Sequence, residues 1–185
     1  MKDLKWKLLS SEYLYRYDWF TARKDRCETN EGKIIDPYFV LEYPDWVNAV
    51  AITRDKKVIM VRQYRHAIGE TIMEIPGGVL DATDATPEAG MRRELLEETG
   101  YSFEKMEYLG KICPNPSTNT NYTHMFLATG GVETHLQQLD HNEEIEVYLM
   151  SIDEVKTLLK ENKILQSLHV TCFLYALNKL GELKY

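Results

Sequence analysis

Between Thr86 and Gly100 the chain specifies one helix almost completely. Thr86 offers a capping hydroxyl, Pro87 suits the first helical position, Glu88 favours the positive end of the dipole, and Gly100 ends the run. Inside it lies Arg93-Glu94-Leu95-Leu96-Glu97-Glu98-Thr99-Gly100-Tyr101. Helical spacing puts Glu94 and Glu98 one turn apart on one face, with Glu97 beside them. Three packed carboxylates repel one another. A solvated face would intersperse them with Lys at i+4, yet the first Lys after the cluster, Lys105, falls beyond the helix. Such a cluster suits a hard divalent cation with oxygen ligands, Mg²⁺ ordinarily and Mn²⁺ as the substitute. Arg93 can brace one carboxylate through a charge-assisted bond. On these residues alone, an acidic solvent-facing helix remains the competing reading.

The rest of the composition bounds the partners. With 185 residues, 44% of them apolar, the chain is long enough for a real core. Its 29 acids against 22 Lys and Arg give a net charge of −7, which argues against nucleic acid or an anionic membrane as a general partner. Cys27, Cys113 and Cys172 are odd in number and scattered, so they predict free, core-packing thiols in a reducing cytosol rather than a disulfide framework. The basic start, Met1-Lys2-Asp3-Leu4-Lys5-Trp6-Lys7, is followed by no apolar stretch, so no signal peptide is expected, and no run approaches a membrane span. A cytoplasmic protein is the expectation.

Periodicity predicts a mixed α/β class with a sheet and flanking helices. Strands are expected at 6–9, 13–23 and 33–42, all rich in aromatic and β-branched residues. The nearly continuous apolar runs 46–53 and 58–61, joined by Arg54-Asp55-Lys56-Lys57, read as a buried hairpin. Further strands are expected at 71–75, 108–113, 122–128 and 145–150. A short helix should follow Ser151, and a last one should run over about 165–180 with Leu165, Leu168, Cys172 and Tyr175 on its buried stripe.

The acidic helix resembles the Nudix box, written Gly, five residues, Glu, seven residues, then Arg-Glu-aliphatic-x-Glu-Glu-x-Gly-aliphatic. Arg93, Glu94, Leu95, Glu97, Glu98 and Gly100 match, and Gly78 after Pro76-Gly77 supplies the opening glycine. At average residue frequencies the Arg-to-Gly core arises by chance in less than about one chain of this length in ten thousand. Two features depart from the pattern. Ala85 stands where the box has Glu, after one residue more than usual, and Tyr101 replaces an aliphatic residue. Asp84 is the nearest carboxylate that could stand in. Val61-Arg62-Gln63-Tyr64-Arg65, Glu74-Ile75-Pro76-Gly77-Gly78, Asn115-Pro116, Asn121, His124 and the stretch from Leu139-Asp140 to Ile145-Glu146-Val147 are similar to the ADP-ribose pyrophosphatase and nucleoside-diphosphate-sugar hydrolase branch.

That resemblance implies an α/β/α sandwich around a mixed sheet at 46–185, preceded by a β-rich arm at 1–45 that completes a homodimer. It implies Mg²⁺-dependent hydrolysis of the diphosphate linkage of a nucleoside diphosphate sugar. The metal ligands expected are Glu94, Glu98 and Glu97, with the Gly77 carbonyl added by resemblance. A general base must reach the attacking water. Glu143, Glu144 and Glu146 are the candidates, with Glu143 favoured, and Arg93 supports the carboxylates. Arg65, rather than Arg62 on the opposite strand face, is expected to grip a phosphate. Glu74 orients substrate or metal-bound water, or forms a strand-end salt bridge. Trp6, Trp19 and Tyr17 either stack on a base or pack a dimer core, and His124 reads as structural. The alternatives are a hydrolase of (d)NTPs or oxidised nucleotides and, from another class, an inactive nucleotide-sensing domain, which the Ala85 substitution would suit.

Overall fold

The computed structural model describes residues 2–17 and 19–183. The chain divides into two compact units, one formed by 1–45 with 113–122 and the other by 46–112 with 123–185.

The first unit is an antiparallel sheet of β1 (Lys7–Tyr17), β2 (Phe20–Glu28) and β3 (Ile34–Glu42), in that order. The sequence pattern predicted strands at 6–9 and 13–23. Instead residues 7–17 form one strand and the chain turns at Trp19. Register slips between Leu8 and Ser10 and between Tyr13 and Tyr15 absorb the polar Ser10-Ser11-Glu12 stretch without ending the strand. Asp25 is buried in this sheet, where it accepts from the Ser11 hydroxyl at 2.7 Å and from Arg23 Nε at 3.0 Å. Residues 113–122 fasten to β3, since Leu41 N–H donates to Thr118 O and Thr120 N–H to Leu41 O. All residues of β1, the outer strand, are exposed.

The second unit is built on β4 (Trp46–Thr53), β5 (Val58–Arg65), β6 (Glu70–Glu74), β7 (Gly77–Val79), β8 (Tyr101–Ser102), β9 (Lys105–Ile112), β10 (Thr123–Glu133) and β11 (Ile145–Met150). Its central order is β11-β5-β4-β10, with β6 beside β5, β7 beside β4, and β8 and β9 beside β10. The β4–β10 pair is parallel and the other pairs are antiparallel, so the sheet is mixed. Strand alternation assigns the two faces. Val50, Ile52, Val58, Met60, Met125 and Leu127 join one apolar cluster, while Val47, Ala49, Ala51, Ile59, Phe126 and Ala128 join the other. Helix α1 (Pro87–Thr99) adds Met91 and Leu95 to the second cluster. Helices α2 (Ile152–Lys160) and α3 (Ser167–Lys179) add Val155, Cys172, Phe173 and Ala176 to the first. Helices therefore cover both faces of a mixed sheet, as an α/β/α sandwich requires.

Local signals placed the helix ends well. Thr86 Oγ1 accepts from Ala89 N–H at 3.1 Å, and Gly100, at φ 77°, donates its N–H to Leu96 O. Ser151 and Glu154 form a reciprocal capping box on α2. The buried stripe of α3 differs from expectation. Leu168 and Cys172 are buried, but Leu165 precedes the helix and Tyr175 faces outward, both about half exposed. The helix rests instead on a wider band in which Ala176 continues the 168 and 172 row and His169, Phe173 and Leu177 are its i+1 neighbours. Among the described residues, no helix is long and apolar enough to cross a membrane.

Candidate active site

The carboxylate face of α1 looks onto the loop that enters it. β7 pairs with β4, placing Gly77 opposite Asn48 and Gly78 opposite Val47. A side chain at Gly77 is excluded by backbone, and one at Gly78 would displace Glu94. A Cβ on Gly77 would meet Val47 O at 2.4 Å, and one on Gly78 would lie 2.5 Å from the Glu94 carboxylate. The two glycines thus bring backbone close enough for Gly77 N–H to donate to Glu98 Oε2 at 3.0 Å, and they leave room for Glu94.

Glu94 and Glu98 are 9% and 4% exposed, which excludes the solvent-facing reading for this pair. Burial pushes the Glu94 carboxyl up to about 7. Arg93 opposes that shift, and the charges of Glu97 and Glu143 add to it. Burial and then the Glu94 charge hold Glu98 well above the usual carboxylate range, with Glu143 adding to the effect and the Gly77 N–H and Arg65 opposing it. Two buried carboxylates with this much opposition to ionising are suited to a neighbouring cation. Among the described residues, no three acidic, His or Cys side chains already form a metal cage. The donor set that fits is the Glu94 and Glu98 pair completed by backbone carbonyl and water oxygens, a hard-oxygen set suited to Mg²⁺ or a similar divalent ion.

Arg93 organises the entrance. Its NH1 donates to Glu94 Oε1 and Glu97 Oε2, both at 2.9 Å, while NH2 donates to Val79 O at 3.0 Å and Asp84 Oδ2 at 2.9 Å. Nε completes a fork on Asp84 Oδ1 at 3.3 Å. Asp84 also accepts from Asp81 N–H, and the Arg93 hydrogen bond holds its carboxyl below the usual range. The longer loop therefore supplies, from Asp84, a carboxylate that locks Arg93 to the helix entrance, while Ala85 supplies none. Glu97 is half-exposed and shares the Arg93 NH1 with Glu94.

The loop candidates separate by environment. Glu143 is half-buried, accepts from Asp140 N–H at 3.1 Å, and lies close enough for its charge to raise both Glu94 and Glu98. Glu144 is exposed. Glu146 pairs across strands with Arg62 at 2.9 Å and accepts from the Tyr148 hydroxyl, so both Glu146 and Arg62 are committed to each other. Arg65 instead turns to Glu74, donating Nε and NH2 to Oε2 at 2.9 and 2.8 Å. Glu74 is 1% exposed, and burial raises its pKa against the pull of Arg65. Arg65 itself stays about half exposed, and its charge reaches Glu98. His124 Nδ1 meets the Tyr108 hydroxyl at 3.1 Å. In the first unit, Trp6 is partly exposed and packs edge-on to Tyr38, whereas Trp19 and Tyr17 are largely exposed.

Two buried residues at this site are not among those the sequence reading singles out. Asn48 donates from Nδ2 to Leu168 O at 3.4 Å, and His169 places Nδ1 3.8 Å from Glu74 Oε1. A polar residue on the buried face of an otherwise apolar terminal helix was the clue available for His169.

Residues 43–169 match the NUDIX domain family, and residues 6–41 match the nucleoside diphosphate sugar hydrolase N-terminal domain. The chain is 33% identical over 137 residues to a methanol dehydrogenase activator of Bacillus methanolicus, covering 74% of each. It is 29% identical over 165 residues to an ADP-ribose pyrophosphatase of Bacillus subtilis, covering 89% of this chain and 88% of the relative. The crystal structure of an ADP compounds hydrolase shares the fold with a TM-score of 0.84 at 20% identity, over 99% of this chain and 100% of that one.

Proposed function

Because this chain belongs to the Nudix family, we propose that it hydrolyses the diphosphate linkage of ADP-ribose or a related nucleoside diphosphate sugar, releasing a nucleoside monophosphate and a sugar phosphate. The observation that carries this reading is the buried Glu94 and Glu98 pair beside Gly77, with the Glu143 charge felt by both. The ADP-ribose pyrophosphatase of Bacillus subtilis supports the substrate class.

Nudix hydrolases act with a divalent cation, which we take to be Mg²⁺ held by Glu94, Glu98 and the Gly77 carbonyl. When bound, it supplies charge neutralisation on the phosphoryl oxygens and lowers the pKa of a water. Glu143 takes the proton from the attacking water as its oxygen bonds to phosphorus. The bridging P–O bond breaks, and the leaving phosphate keeps the electron pair. Arg93 keeps Glu94 and Glu97 oriented and spans helix and loop through Asp84. Arg65 presents its remaining guanidinium donors to the diphosphate. The exposed rings of Trp6 and Trp19 are available to stack on a base.

A homodimer through the first unit is part of this reading. β1 is an outer strand, exposed along its whole length, and it carries Leu8, Leu9, Tyr13 and Leu14. An unpaired, apolar edge of this kind is suited to a second copy. The free cysteines fit a reducing cytoplasm.

Phosphate release coupled to a phosphatase, over a panel of nucleotide sugars and NTPs with and without Mg²⁺, tests the function. Metal-dependent turnover of nucleotide sugars is expected. Preferential turnover of NTPs, or tight ADP-ribose binding without turnover, would overturn it.

A further inference from the structure

Beneath Arg65 lies a polar pair that the proposed mechanism does not use. Glu74 Oε2 takes both Arg65 bonds, while Oε1 is buried without a hydrogen-bond partner. Facing it at 3.8 Å is His169 Nδ1, also buried and without a hydrogen-bond partner. Leaving both unmet is costly, since an unsatisfied buried polar atom forfeits about 1–3 kcal/mol. The gap is wider than the 2.7–3.2 Å of a formed hydrogen bond. Closing it requires one of the two side chains to move toward the other. The imidazole is neutral across the physiological range, because burial and the Arg65 charge push its pKa down to about 3. A neutral ring can offer Oε1 a proton only as the Nδ1–H tautomer.

We infer that His169, from the terminal helix α3, is a positioning residue that donates Nδ1–H to Glu74 Oε1 and thereby fixes the Arg65 guanidinium for the substrate diphosphate. The chain of contacts runs from α3 through His169 and Glu74 to Arg65, whose charge already reaches Glu98. Glu74 is thus held at both oxygens, by Arg65 on one side and His169 on the other. Losing the second hold frees the carboxylate to rotate and the guanidinium to move with it. The arrangement parallels the way carboxylate partners fix imidazole orientation at catalytic centres, with the orienting role reversed.

The inference rests on the assignment of Arg65 to the diphosphate, so its test has one arm that needs no turnover. Nitrogen NMR of His169 in the intact protein should show a neutral ring with Nδ1 protonated from pH 5 to 8. An Nε2–H tautomer would overturn the proposal whether or not any nucleotide sugar is hydrolysed. In the kinetic arm, His169→Phe fills the space without a donor, and His169→Asn returns an N–H near the Nδ1 position. His169→Phe should raise KM for ADP-ribose about tenfold with kcat changed less than about threefold, and His169→Asn should restore KM to within about threefold of the parent. A folded His169→Phe with unchanged KM, or a folded His169→Asn as impaired as His169→Phe, would refute it. Failure of the parent to hydrolyse any nucleotide sugar would sink the functional reading alone, and the tautomer would still decide the role of His169.

Discussion

Replacing Glu94 by Gln should change the pH dependence of stability in a direction opposite to that of an ordinary surface carboxylate. Glu94 ionises near 4.5 when solvated and near 7 in the folded chain. Its folded pKa is raised, so its contribution to stability is complete below pH 4.5 and is lost as pH rises through about 7. At about 1.4 kcal/mol per tenfold change in proton affinity, ionising it in place costs up to about 3 kcal/mol by pH 8. Glu98 is shifted in the same sense and steepens the fall. Carboxylates held low by partners, such as Asp84 and Glu107, lose their contribution only below this window. Thermal unfolding in a chelator should therefore show the parent losing stability between pH 5 and pH 8. Glu94→Gln should lose less, ending about 6–12 °C above the parent at pH 8 on the scaling for chains of this size. Saturating Mg²⁺ should reverse the order, because a ligand that binds only the folded state stabilises the parent through its own binding free energy. A parent whose melting temperature is flat or rising from pH 5 to pH 8 in chelator would refute the buried-pair argument, as would a parallel fall in Glu94→Gln.

Three further outcomes follow from the same contacts. Glu143→Gln should lower kcat by about 10²–10⁴-fold with a small change in KM; an equal loss in Glu144→Gln or Glu146→Gln, with Glu143→Gln active, would move the base elsewhere in the loop. Asp84→Asn removes the charge that forks onto Arg93, and chemical denaturation should register a loss of about 1.5–3 kcal/mol; unchanged stability would mean that the longer loop contributes nothing to the Arg93 clamp. Gly78→Ala drives a methyl into the Glu94 carboxylate, and calorimetric titration should show Mg²⁺ affinity lower by about tenfold or more, the effect of a displaced ligand; unchanged affinity would show that Glu94 is not held where the close approach places it.

What could be read from residues alone was what neighbouring residues decide. The limits of α1 follow from Thr86, Pro87 and Gly100 within one turn at each end, and Ser151 with Glu154 fixes the start of α2 in the same way. The nearly continuous apolar run of β4 marked a strand buried on both faces without knowledge of the helices that cover them. The turn at Trp19 was missed because its outcome depends on β1 slipping twice against β2, a compensation that composition does not reveal. The orientation of α3 was missed for a related reason. Leu165 and Tyr175 fit the helical period as well as Phe173 and Ala176 do, and only packing on the sheet selects the second set. His169 came with that selection.

The acidic balance of the chain acquires a location from these contacts. Residues 84–98 hold five acids against two arginines, and residues 140–154 hold six acids and neither Lys nor Arg, so the remainder of the chain is slightly positive. Most of those acids have structural employment. Arg92 takes Glu88, Arg93 takes Asp84, Glu97 and one oxygen of Glu94, Arg62 takes Glu146, and Glu154 caps α2. Among the described residues, no ion pair within 4 Å reaches Glu98, Glu143 or Glu144. Two of these three act on one another, since the Glu143 charge raises Glu98 as well as Glu94. Asp140 is likewise without an ion pair among the described residues, so the unpaired acids of these two segments include Glu98 and Glu143, the ones assigned to the metal and the water. Because Glu94 and Glu98 resist ionising in place, a divalent cation that binds them displaces their protons, which couples cation affinity to pH as the electrostatic consequence of the fold.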